Sequence, residues 1–411
     1  MPPAKREAAV LRGLAAAVAA AAELPVQAER TRLWKGFNAL RPERPMVLAF
    51  PEGGWRELVR LEVIECDDPL LRNWEMQLRQ TLFRHEHLED DWPVTRFFDV
   101  GWVVRSSGLG LEETRIRSEE LGSYRWDAPV KSPEDMEKLH LPGVEVDRDE
   151  TTRRVELAQS IFRDILDVRA HGPLWWTCGL TWTLINLRGL EQVMVDMYEN
   201  PGLLHRLMAF LRDAKLHELE ALEREGALSL NNGPDDYVGS GGVGATDELP
   251  AEGFGGRVRM QDMWVLGESQ EFVGVGPSLF DEFALQYQLP ILNRFGLVCY
   301  GCCEPLDHKF DLIIGHIPRL RRVSVSPWCD RGLAAQKLGD RFIYSWKPNP
   351  ATICGPSVDY EALERDVRTT LEMTPGCCIE MVMKDTHTFQ GDPTRIGRWC
   401  AMASRLAAEA A

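Results

Sequence analysis

Positive charge is scarce in this sequence. Its 411 residues include 47 lysines and arginines against 63 aspartates and glutamates, which gives a formal net charge of −16. A protein that binds nucleic-acid phosphates needs a basic surface, and no basic cluster with interleaved aromatic residues offsets the acidic balance. We therefore exclude a nucleic-acid partner.

Long hydrophobic runs are also missing. The N-terminal stretch VLRGLAAAVAAAAELP (10–25) is mostly alanine and leads into a charged helical pattern. It is too weakly apolar to span a bilayer, so we expect a helix, no membrane association and a cytoplasmic protein. The ten cysteines show no spacing typical of a disulfide-rich domain, and we expect reduced thiols.

Short apolar runs alternate with helical patterns from Met46 onward. Eight runs are strand candidates: 46–50, 173–179, 227–232, 263–269, 297–303, 322–326, 342–347 and 378–384. Such alternation indicates parallel strands, and eight units close most economically into a barrel. We predict an α/β fold, a (β/α)8 TIM barrel over 46–411. A helical extension (1–45) precedes it, and an irregular insertion (about 52–142) follows the first strand.

An open, doubly wound sheet is the alternative fold. It would normally carry a phosphate-binding glycine turn after the first strand, where FPEGGW stands instead. Barrel active sites lie at the carboxyl ends of the strands, and nearly every predicted strand ends in polar residues. We predict catalytic roles for three of these, namely Glu268, Lys347 and Lys384. The predicted substrate contacts are Tyr300, Asn232, Trp176, Trp328 and Asn349.

The stretch GLVCYGCCEPLDHKF (296–310) is a strand that ends in thiols and a carboxylate. Strand alternation puts Tyr300, Cys302 and Glu304 on one face, which we interpret as the lumen side. Cys303 falls on the opposite, packing face unless the strand bends at its end. A thiolate, a carboxylate and an imidazole at one barrel mouth suit Zn²⁺ with an open position. The alternative is that the cysteines are small core residues.

Three other features have two interpretations each. The glycine-rich GSGGVG (239–244) is either a phosphate cradle or a flexible lid, and no G-K-[ST] follows it. The tryptophans of LWWTCGLTW (174–182) are core side chains or a stack for a flat ligand. Arg188 is a carboxylate ligand or a solvated helix charge.

The run GPLWWTCGLTWTLINLRGLEQVMVDMYENPGLLHRLM (172–208) resembles the uroporphyrinogen decarboxylase superfamily, a family of barrels. VKSPEDMEKLHLP before it and GVGPSLFDEFALQYQLPIL with YGCCEPL after it extend the resemblance over roughly residues 130–410. True decarboxylases of the family carry an RQAGR segment after the first strand, where this sequence has FPEGGW. The second branch comprises zinc-dependent methyltransferases that work with corrinoid proteins.

That second branch holds zinc with a His-x-Cys pair after strand five and a cysteine near the last strand. Here the pair position is Tyr300-Gly301-Cys302, and Asp385 and His387 follow the last strand. The resemblance therefore implies a different ligand set, drawn from Cys302, Glu304, Asp385 and His387. Cys378 starts its strand and is a poor candidate.

The resemblance implies a zinc-dependent methyltransferase or demethylase. It would move a methyl group between a small substrate, such as a methyl ether or methylamine, and a corrinoid (cobalamin) on a partner protein. The chain has no D-x-H-x-x-G motif of its own, and a homodimer is expected because dimers are common in the superfamily. The alternative is a decarboxylase or lyase that holds a carboxylated substrate with Arg188, Lys347 or Lys384. A non-enzymatic scaffold has little reason to gather polar groups at the strand ends.

Overall fold

A computed structural model describes residues 5–117, 124–172 and 177–411. The predicted substrate contact Trp176 lies outside these ranges. The helices are α1 Lys5–Ala22, α2 Pro25–Asn38, α3 Trp55–Leu58, α4 Pro69–His87, α5 Arg148–Phe162, α6 Thr181–Arg188, α7 Leu190–Glu199, α8 Pro201–Glu225, α9 Pro277–Phe280, α10 Gln286–Leu292, α11 Phe310–His316, α12 Arg331–Leu338, α13 Ala351–Cys354, α14 Tyr360–Met373 and α15 Thr394–Glu409. The strands are β1 Met46–Ala49, β2 Phe97–Gly101, β3 Val104–Ser106, β4 Thr114–Arg117, β5 Tyr124–Asp127, β6 Val144–Val146, β7 Asp167–His171, β8 Tyr237–Val238, β9 Gly242–Val243, β10 Trp264–Gly267, β11 Leu297–Tyr300, β12 Leu320–Val325, β13 Ile343–Trp346 and β14 Cys378–Met383.

A six-stranded parallel sheet is the centre of the molecule. Its order is β1-β14-β13-β12-β11-β10, so the first strand pairs with the last, as it does in a barrel. These strands are six of the eight that the sequence predicted. They are buried on both faces, and β1, β10 and β11 are apolar throughout, which is typical of parallel sheets. The fold is mixed α/β with a parallel central sheet, and within the described ranges no strand joins β1 to β10.

The prediction of a strand at 227–232 was wrong. In this segment side chains, and not a ladder of backbone hydrogen bonds, bind the neighbouring backbone segments. The Ser229 hydroxyl bridges the backbone N–H and carbonyl of Gly172. The Asn231 amide binds the backbone N–H and carbonyl of Trp264 at the β10 edge. The other candidate, 173–179, lies mostly outside the described residues. In its described part, Cys178 donates its backbone N–H to the Leu266 carbonyl at 2.8 Å.

The two faces of the sheet pack against different material. The outer face, with side chains such as Val47, Tyr300 and Met381, packs in the largest apolar cluster, which also holds residues of α8, α10 and α15. The inner face, with side chains such as Met46 and Cys299, packs against the short hairpin β8–β9.

The hairpin β8–β9 contains the glycine-rich segment and is buried against the inner face of the sheet. This segment is therefore not a flexible lid, which was one of its two interpretations. A Cβ at Gly239 would lie 2.8 Å from the Cys299 sulfur, and one at Gly242 would lie 2.6 Å from the Arg322 guanidinium carbon. Only glycine allows the backbone to approach the strands this closely. The glycine run therefore fills the inner space of the sheet.

The predicted irregular insertion contains regular structure. Its helix α4 begins at Pro69 after an Asp68 cap, whose carboxylate accepts from the backbone N–H groups of Leu70 and Leu71. α4 packs on α1 in a separate apolar cluster. Within the described residues no single helix is long and apolar enough to cross a membrane; α1 and α2 pass such a test only as a pair, bent by 63°.

Candidate active site

A pocket of about 610 Å³ lies at the carboxyl ends of the parallel strands. Its polar wall includes Glu52, Cys302, Cys303, Lys384 and Asp385, from the loops after β1, β11 and β14. Its apolar wall includes Val238 from the hairpin and Trp264, Val265 and Leu266 from β10. A mostly apolar cavity with a few convergent charges is typical of a small-molecule site.

The turn after β11 brings two thiols to this pocket. Gly301 has a φ of +89°, and a Cβ there would lie 2.7 Å from a Leu306 methyl carbon. This left-handed residue breaks the strand alternation. As a result the sulfur atoms of Cys302 and Cys303 lie 3.4 Å apart, and both residues line the pocket. The prediction that Cys303 is a packing residue is corrected.

The predicted orientation of β11 was also wrong. Tyr300 points to the outer face, where its hydroxyl donates to the Gln288 side chain on α10 at 2.7 Å and its ring meets Phe280. Cys299 points inward, 3.8 Å from the Arg322 guanidinium. Strand alternation predicts Tyr300 and Cys302 on one face. The left-handed Gly301 between them breaks the alternation, so only Cys302 of the two lines the pocket. Tyr300 does not line the pocket, so its position does not support the predicted substrate contact.

Cys302 is surrounded by groups that stabilise a thiolate. Its sulfur lies 3.7 Å from the Lys384 ammonium nitrogen and accepts from the Ser240 hydroxyl at 3.3 Å. The contact with Cys303, reinforced by Lys384 and Ser240 against the opposing effect of burial, lowers the pKa of the Cys302 thiol to about 7. The same contact raises the pKa of Cys303.

The single hydrogen of the Cys303 thiol has two acceptors within reach. The Cys302 sulfur is at 3.4 Å and the Asp385 carboxylate is at 3.1 Å. Since one S–H donates to one acceptor at a time, the Cys303 thiol can turn either to the Cys302 sulfur or to the Asp385 carboxylate. Asp385 is thus in contact with the cysteine pair.

Lys384 is the cation of the pocket. Its ammonium nitrogen lies 3.6 Å from Asp385 and 3.9 Å from Glu52, and it donates to Ser240 at 3.2 Å. Burial alone would lower the pKa of Lys384, but Cys302 and the other anionic neighbours outweigh it and raise the pKa. Lys384 therefore stays protonated and lies within 3.9 Å of the Cys302 sulfur and of the carboxyl groups of Glu52 and Asp385.

Glu52 and Asp385 both have left-handed backbones, with φ of +48° and +57°. Such conformations cost on the order of 1–3 kcal/mol for a non-glycine residue and persist where neighbouring structure enforces them. Here two backbone hydrogen bonds join the loops after β1 and β14. The Phe50 N–H donates to the Met383 carbonyl, and the Gly54 N–H donates to the Thr386 carbonyl. Burial raises the pKa of Glu52 although Lys384 opposes it.

A buried polar network lies on the inner face of the sheet. Arg322 and Glu380 form an ion pair at 2.9 Å, and the Ser345 hydroxyl donates to Glu380. The Lys347 ammonium in turn donates to Ser345. Burial lowers the pKa of Lys347 to about 8. The predicted catalytic residue Lys347 is fully enclosed in this network and does not line the pocket.

Glu268 and Glu304 are buried behind the pocket wall. Glu304 accepts from the backbone N–H groups of Ser269 and Cys302, so it holds the turn that carries the thiols. Burial raises the pKa of both carboxyls, that of Glu268 strongly. One Glu268 oxygen accepts from the Gln270 N–H, and the other has no hydrogen-bond partner among the described residues.

The predicted zinc ligands do not fit a metal site here. Glu304 is committed to backbone N–H groups, and His387 is exposed in the loop beyond Asp385. Across 5–117, 124–172 and 177–411, no group of three His, Cys, Asp or Glu side chains is arranged to hold a metal ion. Zinc stays a prediction of the sequence, and we derive no chemical step through it.

The remaining predicted residues lie elsewhere. Asn232 donates to the Leu249 carbonyl, while its neighbour Asn231 lines the pocket. Trp328 is 66% exposed after β12. Asn349 accepts from the Ala351 N–H at the start of α13. Arg188 is buried, with two contacts to Asp196 and two to backbone carbonyls, which leaves it no role as a substrate ligand.

Three residues of the site were not selected from the sequence. Glu52 follows the predicted first strand, in the segment FPEGGW, and this position was the available signal. Cys303 required the backbone angle of Gly301. Ser240 lies in the glycine-rich run, and no sequence pattern connects that run to the strand ends.

Comparison with known proteins shows the fold. No protein-family model and no curated protein sequence matches the chain. Among solved structures, a methyltransferase from Methanosarcina mazei is similar, with a TM-score of 0.51 and 10% sequence identity. The match covers 92% of this chain and 98% of that one. At this identity the likeness is one of architecture, and membership of the predicted superfamily stays a prediction.

Proposed function

We propose that this chain is a methyltransferase that removes a methyl group from a small methyl ether or methylamine bound in the pocket. The observation that carries the proposal is the pairing of Cys302 with Lys384 on the pocket wall, which presents a thiolate to a bound molecule. The name of the M. mazei protein, which shares the architecture, agrees with this reaction.

Cys302 is the nucleophile in this proposal. A lone pair of its sulfur forms a bond to the methyl carbon, and the bond between that carbon and oxygen or nitrogen breaks with its electron pair on the heteroatom. Lys384 keeps the sulfur ionised before the reaction through its charge. The product is S-methylated Cys302 and a demethylated substrate.

Glu52 supplies the proton that the leaving heteroatom needs. It lines the same pocket, and burial raises its pKa above the usual value for a glutamate, which shifts it toward the acid form that a proton donor needs. The apolar wall around Val265 and Leu266 holds the body of the substrate. A proton on Glu52 and a thiolate at Cys302, which line the same pocket, would match the polarity of the bond that breaks.

The methyl acceptor in the second half of the reaction is proposed to be a corrinoid on a partner protein. A reduced corrinoid, when bound, supplies a nucleophile strong enough to take a methyl group. Its docking on this chain rests on the sequence resemblance alone. Zinc is given no role in these steps because the described residues do not assemble the ligands for it.

The test uses methyl ethers and methylamines with deuterated methyl groups. After incubation, peptide mass spectrometry should find the labelled methyl on Cys302, and addition of a reduced corrinoid protein should remove it. Cys302→Ser should lose the label. Cys377→Ser is the matched control, since that half-buried cysteine contacts the Ala335 carbonyl outside the pocket, and it should behave like wild type.

Absence of the label from Cys302 with every donor, while substrate is demethylated, would overturn the nucleophile assignment. Release of carbon dioxide from a carboxylated substrate without methyl transfer would support the decarboxylase instead. That alternative retains only Lys384 at the pocket, because Arg188 and Lys347 are engaged elsewhere.

A further inference from the structure

The chain contains two pairs of adjacent cysteines, and their geometry differs. Cys377 and Cys378 follow strand alternation: the Cys378 sulfur contacts the Phe37 carbonyl and the Cys377 sulfur contacts Ala335. Their thiols therefore face opposite sides of β14. Cys302 and Cys303 lie in the turn after Gly301, outside any helix or strand, with their sulfurs 3.4 Å apart at one pocket.

We propose that Cys302 and Cys303 are a redox-active vicinal dithiol, a modification site at which hydroperoxides form a disulfide between neighbouring residues. Both thiols can reach a small oxidant, since both line the 610 Å³ pocket. Closing the disulfide needs the sulfurs to move from 3.4 Å to about 2.05 Å. The backbone N–H and carbonyl of Cys302 are held by Glu304 and by the Ser324 hydroxyl, so rotation of the two side chains must supply most of this movement.

The surrounding groups match the two roles that the reaction requires. Cys302 is the attacking sulfur, because the Lys384 ammonium and the Ser240 hydroxyl stabilise its negative charge. Cys303 is the resolving sulfur, because its S–H donates to the Asp385 carboxylate, which can accept the proton as the sulfur attacks.

The chemistry balances with a hydroperoxide as the only oxidant. The Cys302 thiolate forms an S–O bond as the O–O bond of hydrogen peroxide breaks, giving a sulfenic acid and hydroxide. Cys303 then attacks the Cys302 sulfur, its proton passes through Asp385, and the oxygen leaves as water. The net reaction consumes two thiol groups and one peroxide and yields one disulfide and two waters.

In its effect on activity, the inference rests on the proposed function, because a disulfide would remove the nucleophile from the pocket. The disulfide itself is independent of that function. It would also protect Cys302 from irreversible oxidation, since the sulfenic acid is consumed before a second peroxide attacks.

The experiment treats the full chain with hydrogen peroxide and maps its peptides by mass spectrometry. The expected result is a disulfide between Cys302 and Cys303 that dithiothreitol reverses, with Cys377 and Cys378 still reduced. Alkylation of Cys302 by iodoacetamide should fall by about tenfold or more and recover on reduction. In Cys303→Ser, Cys302 should instead be trapped as a sulfenic acid when dimedone is present, and should overoxidise to the sulfinic acid when dimedone is absent. Cys377→Ser should match wild type.

Three outcomes would overturn the inference. They are wild-type Cys302 that overoxidises as fast as in Cys303→Ser, a disulfide that forms equally in the second cysteine pair, and both thiols of the first pair remaining reduced. If the disulfide forms but labelled methyl never reaches Cys302, the dithiol stands and the proposed methyltransferase function fails. The mass of the peptide thus separates the two proposals.

Discussion

Replacement of Lys384 by methionine should raise the pKa of Cys302 and slow its reaction with electrophiles. Methionine keeps the length and apolar stem of lysine and removes the charge. The Lys384 ammonium lies 3.7 Å from the Cys302 sulfur, and the pKa of that thiol is about 7 in the intact pocket. Without the cation, burial and the nearby carboxylates act on the thiolate with less opposition.

The size of the effect follows from the distance. Two unit charges about 4 Å apart interact by about 4 kcal/mol at an effective dielectric constant of about 20. One pKa unit corresponds to about 1.4 kcal/mol, so this is an upper limit of about 3 units, and access of solvent to the pocket reduces it to about 2. At pH 7 the thiolate fraction would fall from about one half to about one hundredth, a loss in alkylation rate of about 50-fold.

The assay is the rate of iodoacetamide alkylation of Cys302, read from its peptide between about pH 5 and pH 10, where thiols titrate. In wild type the rate should rise through about pH 7; in Lys384→Met the midpoint should lie near pH 9. Lys337→Met is the matched control, because that lysine of α12 pairs with Asp311 of α11 and does not line the pocket. A midpoint that stays near pH 7 in Lys384→Met would refute the electrostatic explanation.

The remaining predictions concern the proton donor, the turn, the inner network and the metal. Glu52→Gln should lower demethylation by about 10²–10⁴-fold, measured with a substrate whose leaving group needs a proton, while a substrate with an acidic leaving group should be affected far less. Gly301→Ala should lower the free energy of unfolding by about 1–3 kcal/mol in a denaturant titration, because φ is +89° and the added methyl group would lie 2.7 Å from a leucine carbon; an unchanged midpoint would contradict the turn. Arg322→Met should destabilise by about 3–5 kcal/mol, since it leaves Glu380 buried without its cation, and Arg322→Met with Glu380→Gln should recover part of the loss. Elemental analysis of purified protein should give the same zinc content for wild type and Cys302→Ala, and a fall in zinc specific to the variant would restore the metal site that the sequence predicted.

Linkage gives the pH dependence of stability from Cys302. Its pKa is lowered in the folded protein to about 7, below the value of about 8.5 for a free thiol. The thiolate therefore contributes stability that is fully present above about pH 8.5 and is lost as the pH falls through 7. Cys302→Ser should remove this part of the pH dependence in unfolding experiments.

The parallel sheet could be predicted because its strands are continuous apolar runs separated by helical patterns. Six of them were located to within a few residues. The segment 227–232 also begins with apolar residues, but its Ser229 and Asn231 side chains bind the neighbouring backbone in place of a strand ladder. This difference depends on tertiary contacts, which the segment's own sequence does not show. α4 was missed because charged residues interrupt its apolar periodicity, although the Asp68-Pro69 start was readable.

The candidate site was predictable to the extent that it depends on strand ends. Lys384, Cys302 and Asp385 were selected on this ground and line one pocket. The orientation of β11 was not predictable, because one left-handed residue, Gly301, cancels the two-residue period on which the assignment relied. The sequence did not show which of the other polar residues would line the pocket. Composition does not specify whether a single lysine such as Lys347 is enclosed in the protein or faces a cavity.

Asn38 is the last residue of α2, and its side chain contacts the inner face of the sheet. Its amide donates to the carbonyls of Val243 and Ala245, and its oxygen accepts from Arg322 at 2.8 Å. The end of α2 therefore packs against the inner face of the sheet, where Phe37 also contacts the first residue of β14. A fragment cloned from Met46 onward would open the Arg322–Glu380 pair to water, so an expression vector for this protein must encode the first 45 residues even though the sequence marks them as an appendage.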